Sequence, residues 1–243
     1  MTTSTTSTAN PARTRTAHGT RTAPGTGPRP GIDTSKFESL SGAADLDFPE
    51  YDAPPAEPMG LVWQWLAEAV RHGVREPRSM ALATATADGR ASNRIVTITR
   101  ESANGLVFTT HSTSRKGREL AATGWASALL YWRETGQQIM LAGPVTPLPP
   151  AESDALWTAR PVPLHSMTAA SRQSEPIEDL ESLRDEAYRL LATGQPLPRP
   201  ERFTGYLLEP AEVEFWSAAS DRLHRRLSYT RDGGRWRTAR LQP

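Results

Sequence analysis

Three groups of cations stand where a cation is awkward unless it meets an anion. Arg94 falls in mid-strand among Ile95, Val96 and Ile98. A charge there is costly unless it is paired or turned to solvent, and the strand pattern alone leaves both open. Ser114-Arg115-Lys116 stands just before a short helix and brings hydroxyl, guanidinium and ammonium donors to a helix N-terminus, a set suited to phosphate. Its plainer reading is a solvated turn. Glu214-Phe215-Trp216 is followed by Asp221-Arg222-Leu223-His224-Arg225-Arg226. Three arginines and a histidine beside a tryptophan make either an anion-and-aromatic site or a basic surface turn. Two polar stretches join them. Gln137-Gln138 opens an apolar strand, where buried amides need partners, and Ser171-Arg172-Gln173-Ser174 is denser in polar groups than a connecting loop requires.

Much chemistry is excluded. The chain has no cysteine, so disulfides, thiol nucleophiles, iron–sulfur clusters and thiolate zinc sites are out, a composition that fits a reducing cytoplasm. His18, His72, His111, His165 and His224 form no pair at helical spacing, so no metal site is expected. The 28 basic and 27 acidic residues nearly cancel, which implies no nucleic-acid partner. No apolar run reaches the length of a membrane span. Gly25-Thr26-Gly27 has no strand before it, and there is no Gly-Lys-Ser/Thr loop and no Gly-x-Ser-x-Gly elbow. A phosphate-bearing ligand would therefore have to be held by side chains.

The elements that must position these groups follow from the pattern. Residues 1–45, rich in Thr, Ser, Ala, Arg, Gly and Pro, read as a disordered tail, because they cannot bury enough apolar surface to offset their ordering entropy. The folded domain is expected over 46–243. Val62, Trp65, Leu66, Ala69 and Val70 form one helical stripe that stops near Gly73. Strands are expected over 80–86 and 91–100 around Asp88-Gly89, over 106–110 after an Asn104-Gly105 turn, and over 125–133 and 137–148. Helices are expected over 151–159 and 177–193, then four short strands at 206–208, 213–216, 227–229 and 236–239. Strands dominate without βαβ alternation, which points to a mainly β fold, an antiparallel barrel with peripheral helices.

In order along the chain, Arg94-Ile-Val, Phe108-Thr-Thr, Ser114-Arg-Lys, Gln137-Gln138, Arg160-Pro161, Ser171-Arg-Gln-Ser174, Glu214-Phe-Trp216, Arg222-Leu-His224-x-Arg226 and Arg240-Leu-Gln-Pro243 resemble the pyridoxine/pyridoxamine 5′-phosphate oxidase family over roughly residues 46–243. The resemblance implies a split β-barrel homodimer with flavin mononucleotide (FMN) at the subunit interface. By it, Arg94, Thr110, Arg115 and Lys116 are expected at the FMN phosphate and ribityl chain, Gln138 at the isoalloxazine, and Gln173 and Ser174 at further FMN contacts. Trp216 and Arg226 are expected to reach the flavin from the partner subunit. Arg222 and His224 correspond to the family's substrate-site pair and are the expected catalytic residues.

The chain departs from the vitamin-processing pattern in the substrate pocket. Thr99 stands where the motif has Lys, Leu156 where it has Tyr and Leu164 where it has Ser; of that phosphate pocket Arg160 alone remains. Such a pocket should reject a phosphate and accept a larger apolar face. Leu129-Leu-Tyr-Trp-Arg-Glu-Thr135, Arg172-Gln-Ser-Glu175 and Leu197-Pro-Arg-Pro-Glu201 resemble the branch of flavin oxidases that serves phenazine biosynthesis. That branch implies oxidation of partly reduced phenazine carboxylates, with hydride passing to the flavin and electrons on to O2 to give H2O2. Arg222 would pair a substrate carboxylate, and His224 would serve as hydrogen-bond partner or proton acceptor. Two alternatives stand beside this. Vitamin phosphate oxidation is opposed by Thr99, Leu156 and Leu164. Flavin binding without turnover is opposed by retention of both Arg222 and His224.

Overall fold

The computed structural model describes Met1 and residues 45–243; residues 2–44 of the expected tail lie outside the described residues. Helix α1 (Pro58–Arg71) buries Val62, Trp65, Leu66 and Ala69, and Trp65 meets Phe48 and Phe215 edge-on at ring-centre distances of 4.8 and 5.2 Å. Val70 was expected in the same stripe but is 56% exposed. Eight residues from Val62 carry it about 80° round the helix, beyond the buried arc. Gly73 stops the helix at φ +71°.

Nine antiparallel strands form one sheet: β1 (Ser79–Ala85), β2 (Ala91–Ser102), β3 (Gly105–His111), β4 (Trp125–Trp132), β5 (Gln137–Pro147), β6 (Phe203–Leu208), β7 (Glu212–Ser217), β8 (Arg225–Asp232) and β9 (Arg235–Leu241). The order β4-β1-β2-β3-β6-β5 closes on itself through a β4–β5 pairing, and β7-β8-β9 continues outward from β5. Strand β5 makes this possible. It pairs β4 along Gln137–Pro144 on one edge; on the other it pairs β7 over Gln137–Ala142 and then β6 over Val145–Pro147. At the changeover a Cβ on Gly143 would run into the Glu209 carbonyl and the backbone of Pro210 and Ala211. That backbone is held there by bonds from the amides of Glu209 and Ala211 to the carbonyls of Pro144 and Ala142. The outermost strand, β9, pairs only with β8 among the described residues and carries Arg235, Arg237 and Arg240.

Four helices attend the barrel: α2 (Arg115–Thr123), α3 (Pro150–Thr158), α4 (Pro163–Ala170) and α5 (Leu180–Leu191). Helix α4 was not expected. Pro161 and Pro163 read as breakers in the sequence, but Pro163 occupies the first helical turn, where its missing N–H goes unneeded. Helix α5 begins three residues later than expected, because Asp179 caps it by accepting from the Ser182 amide. The Asn104-Gly105 turn also shifts. Gly105 already pairs with Ser102 as the first residue of β3, and it is needed because a Cβ there would strike the Leu208 carbonyl.

Gly143→Ala should destabilise the chain by about 1–3 kcal/mol, since the neighbouring backbone cannot yield without breaking the β5–β6 changeover. Gly60→Ala, in α1 with nothing near the new methyl, should raise stability by about 0.5–1 kcal/mol. Urea unfolding midpoints test both; equal effects of the two substitutions would contradict this account of β5.

Candidate functional site

The side chain of Arg94 is only 20% exposed. It lies on the inner face of β2 with Ser92, opposite Leu82 and Thr84 of β1. The solvent-face reading is therefore wrong, and the compensation is an anion the sequence reading did not identify. Glu119 of α2, 4% exposed, accepts from Arg94 Nη2 at 3.3 Å and from Arg115 Nε at 2.8 Å. Thr84 and Ser92 donate to the same carboxylate at 2.5 and 2.6 Å. Burial alone would raise the pKa of Glu119; the hydrogen bonds from Ser92, Thr84, Arg115 and Arg94 outweigh it and hold the group at about 2.

Beside this pair, Ser114 caps α2 by accepting from the Gly117 amide. Lys116 Nζ reaches Thr110 Oγ1 at 3.0 Å and Gln173 Oε1 at 3.2 Å, and Thr110 Oγ1 donates to Gln173 Oε1 at 3.0 Å. Burial, and then the charge of Arg94, lower the pKa of Lys116. Ser174, in the left-handed region at φ +72°, accepts from the Arg115 amide at 3.0 Å. A strained conformation at a polar loop is the kind of feature that binding sites retain.

A cavity of about 880 Å³ opens over these groups. It takes in Arg94, Thr110, Lys116, Gln173 and Ser174 at its cationic end and Thr99, Leu156, Arg160 and Leu164 along its wall. Thr99 is aimed there by a bulge in β2, where the pairing with β3 shifts register between Ile98 and Arg100. Leu156 is buried against Val107, Trp157 and Phe203, whereas Leu164 is 45% exposed. Arg160 donates to Thr168 Oγ1 at 3.3 Å and lies 5.9 Å from the Phe203 ring centre. Its buried Nε finds no partner among the described residues, and burial lowers its pKa. Arg115 does not line the cavity; its side chain is 56% exposed and committed to Glu119.

The remaining expected residues gather elsewhere. Gln138 stands opposite Trp216, and Trp216 opposite Arg226. They share a smaller hollow with Leu129, Met140 and Glu214. Arg226 forms a two-pronged pair with Glu214 at 2.7 and 3.0 Å. The His224 ring lies 4.7 Å from that of Trp216, and Arg222 takes the left-handed region at φ +68°. His224 Nδ1 accepts from the Ala219 amide at 3.1 Å, so the neutral ring carries its proton on Nε2. It thus offers a donor, which narrows the expected pair of roles, and burial followed by the charge of Arg222 lowers its pKa.

The match to known proteins is extensive. The model of "Pyridoxamine 5'-phosphate oxidase" matches residues 66–217, and that of "Pyridoxine 5'-phosphate oxidase C-terminal dimerisation region" matches 203–243. The chain belongs to the pyridoxamine 5′-phosphate oxidase family, whose members are flavoprotein oxidoreductases. It falls in the phenazine-biosynthesis branch. The dihydrophenazinedicarboxylate synthase of Burkholderia lata is 59% identical over 212 residues, 87% of this chain and 100% of that one. The enzyme of that name from Pseudomonas chlororaphis is 48% identical over 206 residues, covering 85% of this chain and 93% of the relative. The crystal structure of PhzG from Burkholderia lata in complex with tetrahydrophenazine-1-carboxylic acid superposes with a TM-score of 0.82, covering 83% of this chain and 100% of that one.

Two positioning residues of this family member escaped the sequence reading. His111, fully buried, accepts from the Gln173 amide through Nδ1 at 3.3 Å. Arg202 donates to the carbonyls of Thr168, Ala169 and Ser171, closing the C-terminal end of α4 where the 171–174 loop begins. Neither offers a local signal, since their partners lie about 30 to 60 residues away.

His111 also yields a pH prediction. Burial, then the charges of Arg202, Lys116 and Arg160, push its pKa down to about 4. In the unfolded chain it titrates near 6.5. The unfolded chain thus binds more protons between these values, so stability is full above pH 6.5 and declines as pH falls toward 4. The decline from this group should be roughly 2–3 kcal/mol between pH 6.5 and 4.5. His111→Asn, which keeps an acceptor without the titration, should flatten the profile by that amount in urea unfolding at the two pH values. Parallel profiles would remove His111 as the cause.

Proposed function

We propose that the chain is an FMN-dependent oxidase that dehydrogenates partly reduced phenazine carboxylates in phenazine biosynthesis and works as a homodimer in the cytoplasm. The observation that carries this is one cavity with a cationic end and a wall of Thr99, Leu156 and Leu164, where Arg160 stands as a cation and the neighbouring Arg100 is paired with Glu152.

The donor set fits FMN. Arg94, Arg115 and Lys116, offset by Glu119, leave two positive charges, matching a phosphate monoester that carries about −1.5 to −2 near pH 7. Arg94 and Lys116 would hold the phosphate, with Thr110, Gln173 and Ser174 supplying hydroxyl and amide contacts. Bound FMN would supply a two-electron acceptor that dioxygen reoxidises, releasing H2O2. Leu156 and Leu164 pack an apolar tricycle and exclude water from it. Arg160, short of partners, pairs a substrate carboxylate from the wall side.

Arg222 and His224 belong to the second cluster, which we assign to the site of a partner copy. On the outer sheet face, Ile95 stands in register with Ala81, Leu129 and Met140. This row is notably apolar: Ile95 is 67% exposed and Leu129 36%. Leu129, which lines the second hollow, is two strands from Ile95, which lines the cavity, about 10 Å at ordinary strand spacing. A second copy laid face to face by a two-fold axis would cover the row and bring each Trp216 cluster over the other's cavity. Arg222 then anchors a carboxylate, and His224 Nε2–H donates to the substrate.

Two experiments test this reading. FMN should bind the cofactor-free protein far more tightly than riboflavin, and Arg94→Ala should weaken FMN by about 30-fold or more, the equivalent of about 2 kcal/mol. Equal affinity for the two flavins would refute phosphate recognition. Oxygen-dependent turnover of reduced phenazine carboxylate should far exceed that of pyridoxine 5′-phosphate. Combining Thr99→Lys, Leu156→Tyr and Leu164→Ser should shift the preference toward the vitamin phosphate. Efficient turnover of pyridoxine 5′-phosphate by the parent, with none of the phenazine, would favour the vitamin-oxidase alternative instead.

A further inference from the structure

We propose that Glu119 is a positioning residue of the phosphate clamp: its carboxylate fixes the guanidinium groups of Arg94 and Arg115 and trims the cation cluster to the charge of a phosphate monoester. This rests on the FMN reading above.

A carboxylate is a surprising neighbour for a site that binds an anion, because its own charge repels the ligand. It is also costly to bury unless its lone pairs are matched. Here they are matched from three elements at once. Oε2 accepts from Thr84 of β1 and from Ser92 and Arg94 of β2. Oε1 accepts from Arg115, one turn earlier in α2. The same carboxylate therefore ties the helix bearing Arg115 and Lys116 to the strands bearing Arg94. Arg94 is further constrained through Nη1, which donates to Leu82 O at 3.1 Å and to Thr84 Oγ1 at 2.5 Å.

The charge balance explains why the group is a carboxylate rather than an amide. Without it, Arg94, Arg115 and Lys116 would face one another uncompensated; the pKa of Lys116 is already lowered, by burial first and then by the charge of Arg94. Long cationic side chains in that position relieve repulsion by swinging apart, and a clamp that must be reassembled binds its ligand less tightly than a preformed one. Glu119 removes one positive charge and leaves the guanidinium groups oriented before the phosphate arrives.

The test compares FMN with riboflavin, which lacks the phosphate, on cofactor-free parent, Glu119→Gln and Ser92→Ala chains, by quenching of flavin fluorescence. Glu119→Gln preserves size and removes the charge. It should weaken FMN at least tenfold and leave riboflavin within about twofold, so the FMN preference contracts about tenfold. Ser92→Ala keeps both charges and removes the hydroxyl that joins Glu119 to Arg94; it should contract the preference about threefold, and it carries the test if the first variant does not fold. An unchanged preference in a folded Glu119→Gln protein, or tighter FMN binding by it, overturns the proposal and leaves Glu119 a purely structural ion pair. A parent with no preference for FMN instead overturns the cofactor reading beneath it.

Discussion

A β-strand has two edges, and β5 must serve three neighbours. Everything else in this molecule depends on how that constraint is met. One edge is given wholly to β4, which closes the barrel; the other is divided between β7 and β6 at Gly143. Were the second edge given to β6 alone, the barrel would close without an extension and Trp216 would have no sheet to stand on. Were it given to β7 alone, β6 would lose its pairing with β5 and the barrel would stand open between them. The division keeps the cavity and an outlying aromatic cluster on one continuous sheet.

What the sequence made legible follows from range. The Asp88-Gly89 hairpin, the α1 stripe apart from Val70, and the short helix that opens at Ser114-Arg115 are local devices, written within a few residues, and stand close to where expected. The cations were legible because a charge among apolar neighbours announces itself. Their compensation was not: Glu119 reads as an ordinary helical acid, and Ser92 and Thr84, which share its carboxylate, are more than 25 residues away. The Thr99 bulge, the role of Gly105 and the helix hidden between Pro163 and Ala170 escaped for a related reason. Each depends on what the rest of the fold places against the segment, not on the segment's own preference.

The two halves of the expected site illustrate the same limit in space. One group, from Arg94 to Leu164, surrounds a cavity within the chain; the other, from Gln138 to Arg226, stands on the outer face beside a hollow of its own. Linear order joined them in one motif series. The sheet separates them by the width of β1 and β4, so a site that needs both is a property of an assembly, not of a single chain.

Strand β9 bears on how such an assembly can form. Among the described residues no strand pairs with its outer edge, and an open edge invites another strand to add to it. Arg235, Arg237 and Arg240 stand along β9, with Asp232 against Arg237 and Asp52 against Arg240, and two copies meeting edge to edge would bring these arginine rows together. With the barrel closed, β9 is the outer end of the sheet, and pairing of two copies through it would use up the open edge of both; the arginines penalise that pairing, while the uncharged row through Ile95 and Leu129 carries no such barrier. The arginines act as a traffic rule: they discourage association through the edge and leave the apolar face open to a partner.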